Sequence, residues 1–326
     1  MLWILAVFVA SLVTTLVLTP IFIHKLRASG MVGHDVHKEG RPEVPEMGGF
    51  VILFGFSAGL LAAIPFLSSG LAPLFAGFLT VLITGLIGVC DDLFGIRQSV
   101  KAWLPIFAAV PLMAIQAGVT SVIFPGFGLI ELGIIYSLIV IPLEVAVLSN
   151  ATNMLAGYNG LEAGLGAIAS LFLAAAGYLS GNIIVTVLML ALAGACLAFL
   201  KFNRFPARVF MGDVGSFTIG AGLAAAIIIG NLETAGAIIV GAYLINGVIT
   251  VIDIARRKPI EKFASLKNNV LVPPDKTYVQ NLYYWLERHG NFTEKRLVKA
   301  FWALGVMFGV AGLAYLLWMR TIMVGG

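Results

Sequence analysis

Charged side chains make up only 11% of the 326 residues, against roughly a quarter in an ordinary soluble domain. A chain so poor in charge has too little polar surface to face water on all sides, which excludes a soluble globular domain. Two cysteines, Cys90 and Cys196, leave no disulfide framework and no CxxC metal pattern, and are expected as free thiols among apolar neighbours. Four histidines offer no zinc centre, because His34 and His37 have no third or fourth ligand at a credible spacing. Repeats of fixed period and low-complexity linkers are missing as well, so residues 1–326 read as a single domain. A net charge of +4 gives no reason to expect nucleic acid as a partner.

What fills the chain instead is apolar: 60% of residues are hydrophobic and the mean hydropathy is +1.01. Windows of about 20 apolar residues, the length that crosses a bilayer's hydrocarbon core, fall at 2–24, 47–66, 70–90, 102–118, 133–151, 163–180, 182–200, 215–230, 234–252 and 300–319. The expected fold is therefore an all-α integral membrane protein of about ten transmembrane helices. "TSVIFPGFGLIELG", residues 120–133, is too short and too broken by Pro125, Gly126 and Gly128 to span, and predicts a small external β-hairpin. Residues 2–24 lack a basic leader and a cleavage pattern, so they read as a retained helix. Alternating the connections puts segments 25–46, 91–101, 152–162, 201–214 and 253–299 on one side, with 19 of the 20 Lys and Arg; only Arg320 lies opposite. By the positive-inside rule these loops are cytoplasmic and both termini are external. Thirteen of the 16 acids share that side, while Glu131 and Glu233 lie outside and Glu144 sits within a span.

Five polar clusters on the cytoplasmic face exceed what topology requires. "GVCDDLFGIRQSVK" sets Asp91 and Asp92 side by side at a helix C-terminus, where mutual repulsion and the helix dipole both disfavour them, so a cation is expected there; Lys101 is within reach. "NATNMLAGYNGLEAG" ends a span with Asn150, Asn153 and Asn159 among Gly157, Gly160 and Gly164, offering carboxamides and closely approachable backbone. "FNRFPARVFMGDVGSF" places Asp213 between Gly212 and Gly215 at a helix N-terminus, flanked by Arg204 and Arg208, which suits a metal carboxylate beside phosphate; Asp213 or Ser216 as a simple helix cap is the plainer alternative. "GHDVHKEGRPEVPEMGG" holds His34, His37, Lys38, Arg41 and Glu46 near the membrane with Pro42, Pro45, Gly48 and Gly49. The loop 253–299 is basic enough to attract phosphates or anionic lipid head groups and has an amphipathic surface helix around 277–289. Carboxylates and carboxamides for a hard divalent cation, Lys and Arg for phosphates, and a lipid setting are together what phosphoryl transfer at a membrane needs.

"RPEVPEMGG", "GVCDDLFGIRQSVKAWLP", "NMLAGYNGLEAG" and "RVFMGDVGSF", in that order and over nearly the whole chain, resemble the polyprenyl-phosphate N-acetylhexosamine-1-phosphate transferases. That family includes the bacterial phospho-MurNAc-pentapeptide translocase and the eukaryotic dolichyl-phosphate GlcNAc-phosphotransferase. The resemblance implies that a polyprenyl or dolichyl phosphate attacks the sugar-linked phosphorus of a UDP-N-acetylhexosamine such as UDP-N-acetylglucosamine, releasing UMP. It implies Mg²⁺, with Mn²⁺ as the alternative ion, held by Asp213 and Asn159. Asp91 and Asp92 would lie at the nucleophile's phosphate and Lys101 would hold it. Asn153, Gly160 and Glu162 fall in the motif that helps form the uridine pocket, and Glu46 in the loop near the N-acetyl sugar. Relatives of this kind are often dimers, so a homodimer is a possible assembly, in the cell membrane with the active site facing the cytoplasm.

Departures from the pattern narrow the substrate. Tyr283, Tyr284 and Trp285 stand where the bacterial translocase has a histidine cluster, and Asn159 stands where it has an aspartate. Both point away from a MurNAc-pentapeptide and toward a GlcNAc-diphospho-dolichol synthesis of the archaeal and eukaryotic kind, serving protein glycosylation. The arginine-rich motif of the eukaryotic enzyme is also absent, and Arg288 and His289 are the candidates to replace it. A secondary transporter is the rival of another class, but it would keep its ionisable groups near mid-membrane, where only Glu144 lies.

Overall fold

The computed structural model describes residues 2–118, 120–124, 128–256, 264–268, 270–273 and 281–325. Thirteen α-helices are described: α1 (Leu2–Ala28), α2 (Phe50–Ala63), α3 (Leu71–Phe94), α4 (Gln98–Ala108), α5 (Val110–Ala114), α6 (Ile141–Met154), α7 (Leu161–Leu179), α8 (Ile183–Asn203), α9 (Gly212–Gly230), α10 (Glu233–Ile239), α11 (Gly241–Ala255), α12 (Leu282–His289) and α13 (Glu294–Gly325), with a 3₁₀ turn (Ile64–Phe66) extending α2 and a π-helical turn (Tyr136–Val140) leading into α6. Three two-stranded antiparallel hairpins interrupt them: β1 (Val32–His34) with β2 (Glu43–Pro45), β3 (Ser121–Phe124) with β4 (Gly128–Glu131), and β5 (Ser265–Lys267) with β6 (Val270–Val272). The expected hairpin of 120–133 is the second of these, in register Ser121 to Glu131.

Helix dominates because these segments are apolar throughout, and in lipid only internally bonded backbone is tolerated. Seven described helices are long and apolar enough to cross a membrane: α1, α3, Tyr136–Met154, α7, α8, α9 and Glu294–Ile322. An eighth arises if α10 and α11, bent by 78° about Val240, are one broken span. Of the remaining expected windows, 47–66 holds only the shorter Phe50–Phe66, and 102–118 is split into α4 and α5. Pro111 explains the split, since it lacks an N–H and crowds the preceding turn.

Burial orders the bundle. Helix α9 is 89% buried along its apolar window and α8 78%, whereas α1 and α13 are only 22% buried and present their apolar faces outward, as lipid-facing helices do. Small residues let α9 sit at the centre. A Cβ added to Gly88 of α3 would come within 2.6 Å of the Asp213 carbonyl oxygen and of Val214 Cα, and one added to Gly49 within 2.2 Å of the Gly215 nitrogen. Gly88 and Gly49 therefore permit α3 and the 47–49 turn to lie directly against the first turn of α9. The Thr152 hydroxyl ties α6 to α9 by donating to the Ser216 carbonyl at 2.9 Å.

Candidate active site

The first turn of α9 is the meeting point of three segments. Asp92, in the last turn of α3, accepts the backbone N–H groups of Asp213 at 2.8 Å and Val214 at 3.0 Å. A carboxylate from one helix thus caps the next, satisfying two of the free amides at the positive end of its dipole. Asp91, one residue earlier, turns elsewhere: it accepts the Ile96 N–H at 2.7 Å and forms an ion pair with Lys101. Lys101, from the first turn of α4 and only 5% exposed, also bonds Asp213 Oδ2 at 2.6 Å, so one ammonium lies between two carboxylates. The ammonium also lies over the Phe217 ring, 5.3 Å from the centroid. This is the cation that the paired acids call for.

Asp213's other oxygen meets the Asn153 carboxamide, which also donates to Ser216 Oγ at 2.9 Å. Of the two asparagines, Asn153 is the one whose side chain bonds Asp213 directly. Helix α6 continues through Met154, which keeps Asn153 helical and turned toward α9. Asn159 lies beyond the turn, at the start of α7, and faces other partners. Its amide side chain donates to Asp35 Oδ2 at 2.9 Å and its backbone N–H to Glu294 Oε1 at 2.7 Å.

Around Asn159 lies a second polar cluster that the sequence did not signal as a unit. Lys38 pairs with Asp35 at 3.2 Å and with Glu294, beneath the Phe205 ring. Beside it His37 stacks on Tyr158 at 4.8 Å, Tyr158 meets Tyr283 edge-on at 5.1 Å, and the Tyr158 hydroxyl donates to Glu287 at 2.6 Å. Burial pushes His37 down to about 4, only partly opposed by the charge of Asp35. Burial likewise pushes Glu287 up to about 7 against the hydrogen bond from Tyr158. Asp35 and Glu294 carry no sequence signal beyond an acid before a basic loop and an acid in a helix's first turn.

The remaining expected residues fall around these two clusters. Glu46 folds over Gly33, and burial followed by the nearby Asp213 charge raises its carboxyl. Glu162 is buried in the first turn of α7, within electrostatic reach of Asp213 and Asp92. Gly160 starts that helix with a left-handed φ of 84°, its N–H donating to Asn203 Oδ1 at 3.1 Å and its carbonyl accepting from Trp302. Arg204 and Arg208 are exposed on the α8–α9 connection, Arg208 over the Phe202 ring. Arg288 is half-buried next to Glu287, while His289 is bound to its own helix through the Trp285 carbonyl at 2.7 Å. Of loop 253–299, residues 257–263, 269 and 274–280 lie outside the described residues, so the surface helix expected at 277–289 is described only as α12.

A sequence model described as glycosyl transferase family 4 matches residues 74–231, a stretch that holds Asp91, Asp92, Lys101, Asn153 and Asp213. Similarity to individual proteins runs further. A Saccharolobus solfataricus protein, provisionally named UDP-N-acetylglucosamine–dolichyl-phosphate N-acetylglucosaminephosphotransferase, is 34% identical over 306 residues, covering 93% of this chain and 92% of its own. The chain belongs to glycosyl transferase family 4. A Sulfolobus acidocaldarius protein with the same provisional name is 32% identical, covering 94% of each chain. A phospho-N-acetylmuramoyl-pentapeptide-transferase of Geobacillus kaustophilus is also 32% identical, covering 95% of this chain and 96% of its own. As a family 4 transferase of multi-pass membrane architecture, the chain has its matched segment running from α3 to the end of α9, while the Asp35, Lys38 and Glu294 cluster lies outside it.

Proposed function

We propose that this protein transfers N-acetylglucosamine 1-phosphate from UDP-N-acetylglucosamine to a dolichyl or related polyprenyl phosphate, leaving a sugar-diphosphate-lipid and UMP. The observation that carries the reading is Lys101, on the first turn of α4, held between Asp91 at the end of α3 and Asp213 on the first turn of α9, beside the Asn153 carboxamide. The names of the two archaeal relatives supply the donor and acceptor.

An oxygen of the lipid phosphate attacks the sugar-linked phosphorus, and the bond from that phosphorus to the bridging oxygen breaks toward UMP. With a second pKa near 6, a phosphate monoester is already largely deprotonated at neutral pH. Lys101 then orients the nucleophile and offsets the charge that builds between the two phosphates. Asp91 holds Lys101 in place, and Asp92 fixes the backbone carrying Asp213. Asp213 offers a carboxylate oxygen of the kind that suits Mg²⁺, which takes one or two protein carboxylates and keeps water or substrate oxygens, and Asn153, whose NH₂ donates to Asp213 in this structure, would add a carboxamide oxygen on turning its amide over. When bound there, the ion would neutralise the diphosphate. Gly160, Glu162 and Glu46 are the candidates for the donor's nucleotide and sugar, Asn159 for the donor or the metal, and Arg204, Arg208, Arg288 and His289 for further phosphate and sugar contacts. In this proposal the face is cytoplasmic and both termini are external, with ten spans once α2, α4–α5 and α10–α11 are each counted beside the seven long helices; the one-sided distribution of Lys and Arg supports that orientation.

Purified protein incubated with radiolabelled UDP-N-acetylglucosamine, dolichyl phosphate and Mg²⁺ should yield a labelled lipid and UMP, both abolished by Asp213→Ala. Release of UMP without lipid, or labelled product undiminished in that variant, would defeat the reading.

A further inference from the structure

Asp35, Lys38, Glu294 and Asn159 close a ring of hydrogen bonds joining three distant segments. Asp35 Oδ2 accepts the Asn159 amide at 2.9 Å and lies 3.2 Å from Lys38 Nζ; Lys38 bonds Glu294 Oε2; Glu294 Oε1 accepts the Asn159 N–H at 2.7 Å. Asp35, Asn159 and Glu294 are each no more than 5% exposed. Two acids of the ring stand against one lysine and two amide donors, and the result is a fixed frame across the 33–49 loop, the turn before α7 and the first turn of α13.

The chemistry of the ring fixes a direction. A carboxamide has unlike ends, and an ionised carboxylate only accepts. With Asp35 against it, Asn159 must point its NH₂ into the ring and its carbonyl oxygen away. The next residue, Gly160, is bonded on both sides to Asn203 and Trp302, and Glu162 one turn on is within electrostatic reach of Asp213, so the turn carrying Asn159 leads into the helix that neighbours the acids of the first turn of α9.

We propose that Asp35 is a positioning residue for the donor substrate: it sets the sense of the Asn159 carboxamide so that its carbonyl oxygen faces the nucleotide sugar, while Lys38 and Glu294 hold Asp35 and the Asn159 backbone in register. The proposal rests on the transferase reading above.

The test uses full-length protein in detergent with Asp35→Ala, Asn159→Asp and the double variant Asp35→Asn/Asn159→Asp. Steady-state constants are measured for UDP-N-acetylglucosamine and for dolichyl phosphate, and equilibrium binding of UDP-N-acetylglucosamine by calorimetry. Loss of one hydrogen bond to a charged group corresponds to about tenfold or more, so Asp35→Ala should raise the donor KM and Kd by that factor while kcat and the lipid KM stay within about threefold. Asn159→Asp sets two carboxylates together and should bind donor worse still. In the double variant the amide moves to position 35 and an acceptor oxygen stays at position 159, so donor binding should return to within about threefold of wild type. An unchanged donor KM in Asp35→Ala, or a double variant no better than Asn159→Asp, overturns the proposal. Wild type that binds no UDP-N-acetylglucosamine and releases no UMP overturns the transferase reading, and this proposal with it.

Discussion

Asp92 caps Asp213: the carboxylate of one accepts the backbone N–H of the other at 2.8 Å, and that of Val214 at 3.0 Å. The two acids of the pair therefore differ in kind. Asp92 is committed to backbone, whereas Asp91 faces Lys101. Asp92→Ala should cost about 1–3 kcal/mol, the worth of a charge-assisted cap, visible as a lowered Tm in detergent together with lost turnover. Asp91→Asn keeps an acceptor oxygen for the Ile96 N–H and should lower Tm less than Asp92→Ala does, while it abolishes turnover and leaves nucleotide binding within about threefold. Equal effects of both substitutions on Tm would contradict this division.

Lys101 is the only described cation between Asp91 and Asp213. Lys101→Met leaves two carboxylates facing each other in a partly buried site, and one must take a proton or move apart. The expected outcome is a fall in kcat of about 10²-fold or more with a raised KM for the lipid phosphate. Lys101→Arg should not rescue it, since a planar five-donor fork does not fit where a compact ammonium sits. Kinetics of the arginine variant near wild type would show that charge alone suffices.

Close backbone approach at Gly88 places the acid pair. A methyl group there would meet the Asp213 carbonyl and Val214 Cα at 2.6 Å, and backbone cannot yield as a flexible side chain can. Gly88→Ala should cost about 1–3 kcal/mol by overpacking and, by shifting α3 from α9 by a fraction of an ångström, lower kcat by about 10–10²-fold. Thermal melts and steady-state rates on the same preparation read both.

His37 and Glu287 flank Tyr158 and titrate in opposite senses. Burial holds His37 down at about 4, so its neutral form is favoured on folding. That contribution is whole above the unfolded value near 6.5 and is lost as pH falls toward 4. Glu287 is raised to about 7, so the folded state favours its protonated form, which contributes below the unfolded value near 4.5 and is lost as pH rises through 7. Each shift corresponds to about 3 kcal/mol at most. Stability measured from pH 4 to 8 should fall less steeply on the acid side in His37→Asn and less steeply toward neutral pH in Glu287→Gln, where other raised carboxyls such as that of Glu46 keep part of the decline. A Glu287→Gln profile parallel to wild type would contradict the assignment.

Hydropathy made the membrane class and most helices legible, because an unbroken apolar run has few alternatives in lipid. The order of the motifs made the residues of the first turn of α9 legible as well. Other features were hidden for physical reasons. Pro111 and the bend at Val240 break helices that a hydropathy window reads as continuous. Asn153 and Asn159 are chemically identical and six apart, and only the helical continuation through Met154 decides which one reaches Asp213. Glu294 meets Asn159 across 135 positions, a separation to which local pattern is blind.

That difference between the two asparagines yields a prediction about the metal. If Asn153 with Asp213 holds the divalent ion, Asn153→Ala should shift the Mg²⁺ concentration for half-maximal rate upward by about tenfold or more, the order of change that loss of a supporting group produces at a metal site. Asn159→Ala should leave that concentration within about threefold and act instead on the donor KM. The Asn153 side chain also bonds Ser216 Oγ, which is within reach of the Asp213 carbonyl, so Ser216→Ala separates loss of the metal's oxygen from loosening of the turn. A turn effect moves Tm and the Mg²⁺ response together in both variants; a ligand effect moves the Mg²⁺ response in Asn153→Ala alone. Titration of activity with Mg²⁺ after chelator treatment, repeated with Mn²⁺, decides between them, and a Mg²⁺ response displaced by Asn159→Ala but not by Asn153→Ala would return the metal to the turn before α7.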